Sequence, residues 1–428
     1  MVDADSPDNP WTQQDECAHP ESAMEWWAIE AFFHDKQKEK QWSLKAALNN
    51  WQTKAGKIGT NYVFTLFDQI TKKIYSFDFR DDTTRITAEI DCFDIRFQKN
   101  WMHGRFPVYT MQFTNPRDDI TIKLSLKATV YPRWVAQDAT QGWLPIGLGF
   151  YRYGFIPLCE LSGTISIKGE TIEIQGTGYF EHIWGDFTYH RTGAEFGKLK
   201  KTIHTYSTLA FTWFKQHTPQ IPTCVGLATE NNPLGYDWAW AVFDNGWTLF
   251  YGNILFWVMQ GPAAGSLIIS KDGTHYDELF DVQFQYIQTN KADRFSFHYP
   301  TCFDLHARYG DEQWKLRFTM DKSIHEYTVS FYEQRYWKGL VICEAPGQVE
   351  GTYSKEGNTT QLKGLCKIEP QRQVSASGHN TLFFKCVKPP KGVGAELSLE
   401  SEVLKKKGYV KLHLVPPHFQ AGIKGFEE

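Results

Sequence analysis

In the run Gly176-Thr177-Gly178-Tyr179-Phe180-Glu181-His182-Ile183-Trp184-Gly185-Asp186, an acid, an imidazole and an indole lie close together. A carboxyl group enclosed by aromatic rings loses hydration, which raises its pKa, keeps it protonated near neutrality and lets it protonate an alkene. An indole face steadies the carbocation that results, and an imidazole donates a proton or positions water. On an extended backbone Glu181 shares one face with Ile183, and His182 shares the other with Trp184. Glu181 and His182 are therefore the candidate catalytic residues, with Tyr179 and Trp184 as candidate substrate-binding neighbours. The competing reading is that both polar groups hydrogen-bond the backbone at a strand end.

A second unusual run is His19-Pro20-Glu21-Ser22-Ala23-Met24-Glu25-Trp26-Trp27, an acid beside paired tryptophans. In a strand Trp26 and Trp27 face opposite sides, so one ring can line a cavity while the other packs elsewhere. Glu25, Trp26 and Trp27 join the candidate substrate-binding set. Other chemistries lack their signatures. There is no Walker P-loop, no H-E-x-x-H and no G-x-S-x-G elbow, and the Gly176/Gly178 pair has no third glycine in a βαβ setting. Histidines 182, 190, 204, 217, 298 and 306 are scattered. Neither a metal nor a cofactor is expected.

The elements that carry these residues read as strands. Ile120, Ile122, Leu124 and Leu126 alternate as one buried face, and so do Tyr75, Phe77 and Phe79, then Trp314, Leu316, Phe318 and Met320, then Tyr327, Val329 and Phe331. Ile165 and Ile167, the turn Lys168-Gly169-Glu170, then Ile172 and Ile174 predict a hairpin. Helical periodicity is hard to find, so the class is all-β, of barrels or sandwiches. Segment 191–233 breaks the alternation and is expected to connect two domains, 1–190 and 234–370. Its aromatic patch at Phe211, Trp213 and Phe214 serves either as a lid or as packing. Residues 371–428, with Pro389-Pro390 and Lys405-Lys406-Lys407, are expected to form an extension.

The chain of 428 residues is long enough for two large cores. Its 45 basic and 49 acidic residues are well mixed, giving a formal charge of −4 and no overall footprint for nucleic acid or an anionic membrane. The 31 Phe, 20 Tyr and 16 Trp exceed what two cores need, which points to a cavity for a hydrophobic small molecule. Eight cysteines with no C-x-x-C spacing read as buried, reduced thiols. The acidic start MVDADSPDNP does not look like a signal peptide, no apolar stretch reaches membrane-spanning length, and a cytoplasmic location is expected. The single sequon at Asn358 does not outweigh this. The sequence leaves the oligomeric state open.

Three stretches resemble the family of carotenoid 1,2-hydratase (hydroxyneurosporene synthase), AttH-like lipocalin proteins and lipocalin-like fungal Diels-Alderases. Glu25-Trp26-Trp27 resembles an early E-W-W-Y. Gly178 to Gly185 resembles G-x-x-Y/W-x-D-H-N-W-G. Tyr336-Trp337-Lys338-Gly339-Leu340-Val341, with Gly351-Thr352-Tyr353 and Gly364, resembles Y-W-E-G-x-V and a later G-x-x-Y. The resemblance implies two lipocalin-like β domains with a ligand site between or inside them. Glu181 stands where the family has Asp, Ile183 where it has Asn, and Ala28 follows Trp27 where it has Tyr. A further acid in the second domain has only Asp237, beside Trp238, and Asp244 as candidates. The resemblance does not fix a reaction, and the activity expected from Glu181, His182 and the surrounding tryptophans is proton-initiated hydration, cyclisation or isomerisation of a terpenoid or polyene olefin. The alternatives are a pericyclase that needs no acid and a lipid carrier that is not an enzyme.

Overall fold

The computed structural model describes residues 2–52, 58–81, 83–146, 149–186, 196–216, 224–228, 235–255, 261–262, 265–280, 282–292, 298–329, 339–374, 380–387, 393–401, 406–415 and 418–427. Most of them are in antiparallel strands. The elements that carry the site are β1 (Met24–Asp35), β2 (Gln41–Gln52), β3 (Gly149–Ile167), β4 (Glu170–Gly185), α1 (Phe196–Gln216), β5 (Gly235–Phe243), β6 (Thr248–Leu255), β7 (Gly339–Lys355) and β8 (Asn358–Val374).

Among the described residues the first sheet has thirteen strands, with β1 paired between β2 and β4, and β4 paired between β1 and β3. The second has eleven, with β8 between β7 and β5, and β5 between β8 and β6. The expected hairpin joins β3 to β4 through Lys168 and Gly169, whose φ angles of 51° and 85° are those of a type I′ turn. That turn fixes the register as far as Cys159↔Gly178, a one-residue bulge between Ile156 and Cys159 then shifts it to Phe155↔Glu181, and β1 pairs Ala28↔Glu181 and Trp27↔His182. Gly176 is needed where β4 crosses β1, because a Cβ there would lie 2.0 Å from the Phe32 carbonyl oxygen. Ile120, Ile122, Leu124 and Leu126 are buried on one face as expected, and so are Trp314, Leu316, Phe318 and Met320.

Three large cores among the described residues follow from the alternation. One, with Trp27, Ile29, Phe64, Ile122, Phe180 and Trp184, fills one side of the first sheet. Another, with Phe243, Leu249, Phe303, Trp314 and Phe318, fills one side of the second. The third lies between the sheets and draws Trp26, Phe32, Tyr153, Phe155, Tyr179 and Ile183 from the first and Trp238, Trp240, Phe250 and Tyr327 from the second. Phe155 stacks on Phe250 at 4.5 Å, Phe32 stacks on Trp240 at 5.5 Å, and the Trp240 indole N–H donates to the Pro157 carbonyl at 2.8 Å. Burying a large apolar side chain stabilises by about 2 kcal/mol, so this aromatic layer holds the two sheets face to face.

Two segments carry secondary structure that the sequence reading does not assign. The 191–233 connector contains α1, a helix of 21 residues. Its buried side includes Thr205, and the hydroxyls of Thr205, Thr208 and Thr212 donate to the carbonyl four residues earlier at 2.9 Å. Threonines satisfied in this way dilute the hydropathy period that would have marked a helix. The stretch read as a C-terminal extension contains the strands Asn380–Val387, Val393–Ser401, Lys406–Val415 and His418–Glu427, a meander joined by Cys224–Ala228 from the connector. Phe331, Tyr336, Trp337 and Lys338 lie outside the described residues, and so do the side chains of Trp213 and Phe214. Among the six cysteines whose side chains are described, five are buried, Cys92 is exposed and none is paired.

Candidate active site

β4 presents Tyr179, Glu181 and Ile183 to the layer between the sheets, while Phe180, His182 and Trp184 point into the interior of the first sheet. Trp26 and Trp27 on β1 divide in the same way. The tight alternation thus splits the sequence-derived residues into two closely packed chambers of side chains, one between the sheets and one inside the first sheet.

The interdomain chamber is built around Glu181, which is 4% exposed. Its Oε1 accepts from the Trp26 indole N–H at 3.1 Å, and its Oε2 accepts from the Tyr179 hydroxyl at 2.9 Å and from the Tyr153 hydroxyl in a shorter bond. The two phenol oxygens are 3.1 Å apart. Burial raises both phenols well above their ordinary pKa, and the neighbouring Glu181 charge adds to this, so they remain donors. Burial also pushes the Glu181 carboxyl up, to about 7, against the lowering effects of the Lys45 charge and the phenol hydrogen bonds. Trp238 covers this chamber from the second sheet, with its ring 5.4 Å from that of Tyr179. Its indole N–H is buried with no hydrogen-bond partner among the described residues. The same holds for the side-chain oxygen of Gln371.

Beside this chamber lies a buried ionic network that sequence reasoning missed. Lys45 of β2 bridges Glu30 of β1 at 2.7 Å and Glu369 of β8 at 2.6 Å. Lys367 of β8 contacts Glu344 of β7 at 2.6 Å and Glu30 at 3.2 Å. The Gln371 amide donates to Glu369 at 2.6 Å and also to the Tyr236 hydroxyl. Burial works against the charge on Lys45, but the Glu30 and Glu369 carboxylates outweigh it and hold the ammonium well above lysine's ordinary value. Glu369 is held below the carboxylate range, since Lys45 outweighs its burial, whereas burial and the Glu30 charge drive Glu344 well above it. A signal for this network was present: Glu30 interrupts the apolar run WWAIEAFF, and Lys45 interrupts WSLKAAL.

His182 occupies the other chamber. Its Nε2 is 2.9 Å from Glu25 Oε1, and its Nδ1 is 2.9 Å from the Asp15 carbonyl oxygen. The same Glu25 oxygen accepts the His19 backbone N–H at 2.8 Å and lies 3.2 Å from His19 Nδ1. His19 stacks on Trp184 at 3.9 Å, and Trp27 on His182 at 5.2 Å. Burial holds His182 below the ordinary imidazole value, while its partners hold Glu25 below the carboxylate range despite burial. Donor atoms of metal-binding type gather here and at Glu30, Glu344 and Glu369. One Glu25 oxygen serves the contacts in the first group, and Lys45 and Lys367 pair with the carboxylates of the second.

The structure therefore brings Glu181, Trp26, Tyr179 and Trp238 together, and separately brings His182, Glu25, Trp27 and Trp184 together. Asp237 joins neither group. Its carboxylate accepts from Arg372 at 2.8 Å and from Tyr286 within the second domain. Asp244 lines an open polar groove of about 600 Å³ with Asp304, His306, Arg317 and Glu350.

No family model matches the chain, and no curated protein matches it. Solved structures do. The chain superimposes on an AttH protein from Nitrosomonas europaea with a TM-score of 0.56 at 15% identity, over 86% of this chain and 98% of that one. It superimposes on kievitone hydratase from Nectria haematococca with a TM-score of 0.54 at 12% identity, over 86% of this chain and 93% of that one. Strand order, core division and superposition agree that the chain has the lipocalin-like fold of two β domains found in these two proteins.

Proposed function

We propose that the protein is an enzyme that protonates a hydrophobic olefin, of terpenoid or polyene type, with Glu181 as the general acid. The carrying observation is a carboxyl group buried between the two domains, held by Trp26, Tyr153 and Tyr179, with its pKa near 7. Such a group is protonated in a useful fraction at neutral pH and is also a competent base once ionised. A solved protein of the same fold bears the name of a hydratase, which suits addition of water to a carbon–carbon double bond.

The reaction balances on one carboxyl. The Glu181 proton passes to one olefinic carbon, the π pair forms the new C–H bond, and the adjacent carbon becomes cationic. The faces of Trp26 and Trp238 stabilise that cation. Water then forms a C–O bond and loses a proton, which restores Glu181 and leaves net hydration. Attack by a second double bond, followed by proton loss, leaves net cyclisation instead. Tyr153 and Tyr179 orient the carboxyl, and the unpartnered Trp238 N–H can donate to an oxygen of the substrate. His182 lies on the far face of β4 and acts as a positioning residue, fixing the strand through Asp15 and Glu25.

The test is to incubate the enzyme with a panel of linear isoprenoids and polyenes in deuterium oxide. Deuterium should appear on a product carbon, and Glu181→Gln should lower kcat by a factor of about 10³ or more while substrate affinity survives. Turnover without carbon-bound deuterium, or within a few-fold of wild type in Glu181→Gln, would establish the pericyclic reading. Ligand retention with no turnover of any olefin would establish the carrier.

A further inference from the structure

Beyond catalysis, we infer that the outward face of α1 docks the protein on an anionic lipid surface. Steps of three and four residues place Lys200, Ile203, His204, Ser207, Phe211 and Lys215 along one side of the helix, and all six are exposed. Phe211 is 62% exposed, the most of any large apolar side chain among the described residues, and Ile203 is 56% exposed. The Lys215 ammonium lies 4.5 Å from the centre of the Phe211 ring. The helix carries four lysines and no acid, whereas the chain as a whole has a formal charge of −4.

The opposite side of α1 is committed to the protein. Thr205 is buried, Leu209 packs on the interdomain layer, and Lys201 lies over the rings of Trp143 and Phe150 at 3.2 and 4.4 Å. Tyr206 stands near Tyr151, which in turn is close enough to Glu181 to feel its charge. α1 is therefore an outer wall beside the proposed site, with one face packed and the other exposed among the described residues.

Apolar side chains flanked by lysines on one helical face match the boundary between acyl chains and anionic headgroups, where the rings insert and the ammonium groups meet the negative surface. A second copy of this chain would bring like-charged helices together. Duplex nucleic acid is held through its phosphates by basic residues, and the exposed apolar pair Ile203 and Phe211 in the middle of this face has no phosphate to meet. A lipid surface would also place the wall of the site against the phase in which a hydrophobic olefin is concentrated. Docking does not depend on Glu181 and stands or falls separately from the proposed reaction.

The experiment is co-sedimentation of the full-length protein with vesicles of phosphatidylcholine alone and of phosphatidylcholine with about one third phosphatidylserine. The expected result is pelleting with the anionic vesicles that weakens as salt rises. Lys200→Glu/Lys215→Glu should lower the partition coefficient by about tenfold or more, and Ile203→Ser/Phe211→Ser by a similar factor. All variants should elute from gel filtration as wild type, and Glu181→Gln should pellet unchanged. Equal partition to both vesicle types, partition indifferent to the α1 substitutions, or self-association abolished by them would overturn the proposal.

Discussion

Glu181 shows how one residue can be readable in identity and unreadable in setting. Its type and its aromatic neighbours in sequence marked it as an acid, but Tyr153, which donates to it, lies 28 residues away, and Trp26 lies 155 away. Its raised pKa has a consequence for stability. The unfolded carboxyl titrates near 4.5 and the folded one near 7, so between these pH values the unfolded state releases a proton that the native state keeps. Stability therefore falls as pH rises through this window, by about 1.4 kcal/mol per unit and about 3 kcal/mol in all. Glu181→Gln should accordingly raise Tm at pH 8 relative to wild type and change it little at pH 4, as read by thermal melts across pH. Activity should follow the protonated acid, so kcat/KM should decline above pH 7 with a single limb.

At the scale of elements, β4 decides the site because alternate residues serve two chambers. Its alignment depends on two glycines with different jobs. Gly169 supplies the positive φ of the I′ turn and has open space around it, so Gly169→Ala should cost only about 1 kcal/mol. Gly176 faces the Phe32 carbonyl with no room for a Cβ, so Gly176→Ala must part β4 from β1. It should cost about 3 kcal/mol or more in chemical denaturation. It should also lower kcat through the displaced Trp26–Glu181 contact, an effect that Gly169→Ala should not reproduce. The helix α1 was invisible to hydropathy because its packed side includes threonine.

Across the whole molecule, the two sheets are joined by an aromatic layer and by a buried ionic network that acts on the acid at a distance. Lys45 lowers the Glu181 pKa and Glu369 raises it. Glu369→Gln should therefore move the limb of the pH–rate profile downward, and Lys45→Met should move it upward. General structural damage would not produce opposite signs. Lys45→Met also leaves Glu30 and Glu369 without their shared cation and should cost about 3–5 kcal/mol. Equilibrium unfolding of the two variants beside their pH profiles checks both effects. Shifts of the same sign in both variants would show that this network does not tune Glu181.

The sequence by itself determined the alternating strands of the two domains, the β3–β4 hairpin, the opposed faces of Glu181 and His182 and the concentration of aromatic rings, because period-two alternation and turn chemistry are local properties. Only the tertiary structure decided which face of β4 meets the second domain, and hence that Glu181 belongs with Tyr153 and Trp238 while His182 belongs with Glu25 and His19. It also decided that the charged groups of the second domain next to the interdomain chamber are Lys367 and Glu369 rather than Asp237, which Arg372 neutralises inside its own domain. Alternation assigns a residue to a face. What that face packs against is set by pairings between segments hundreds of residues apart, which no local pattern records.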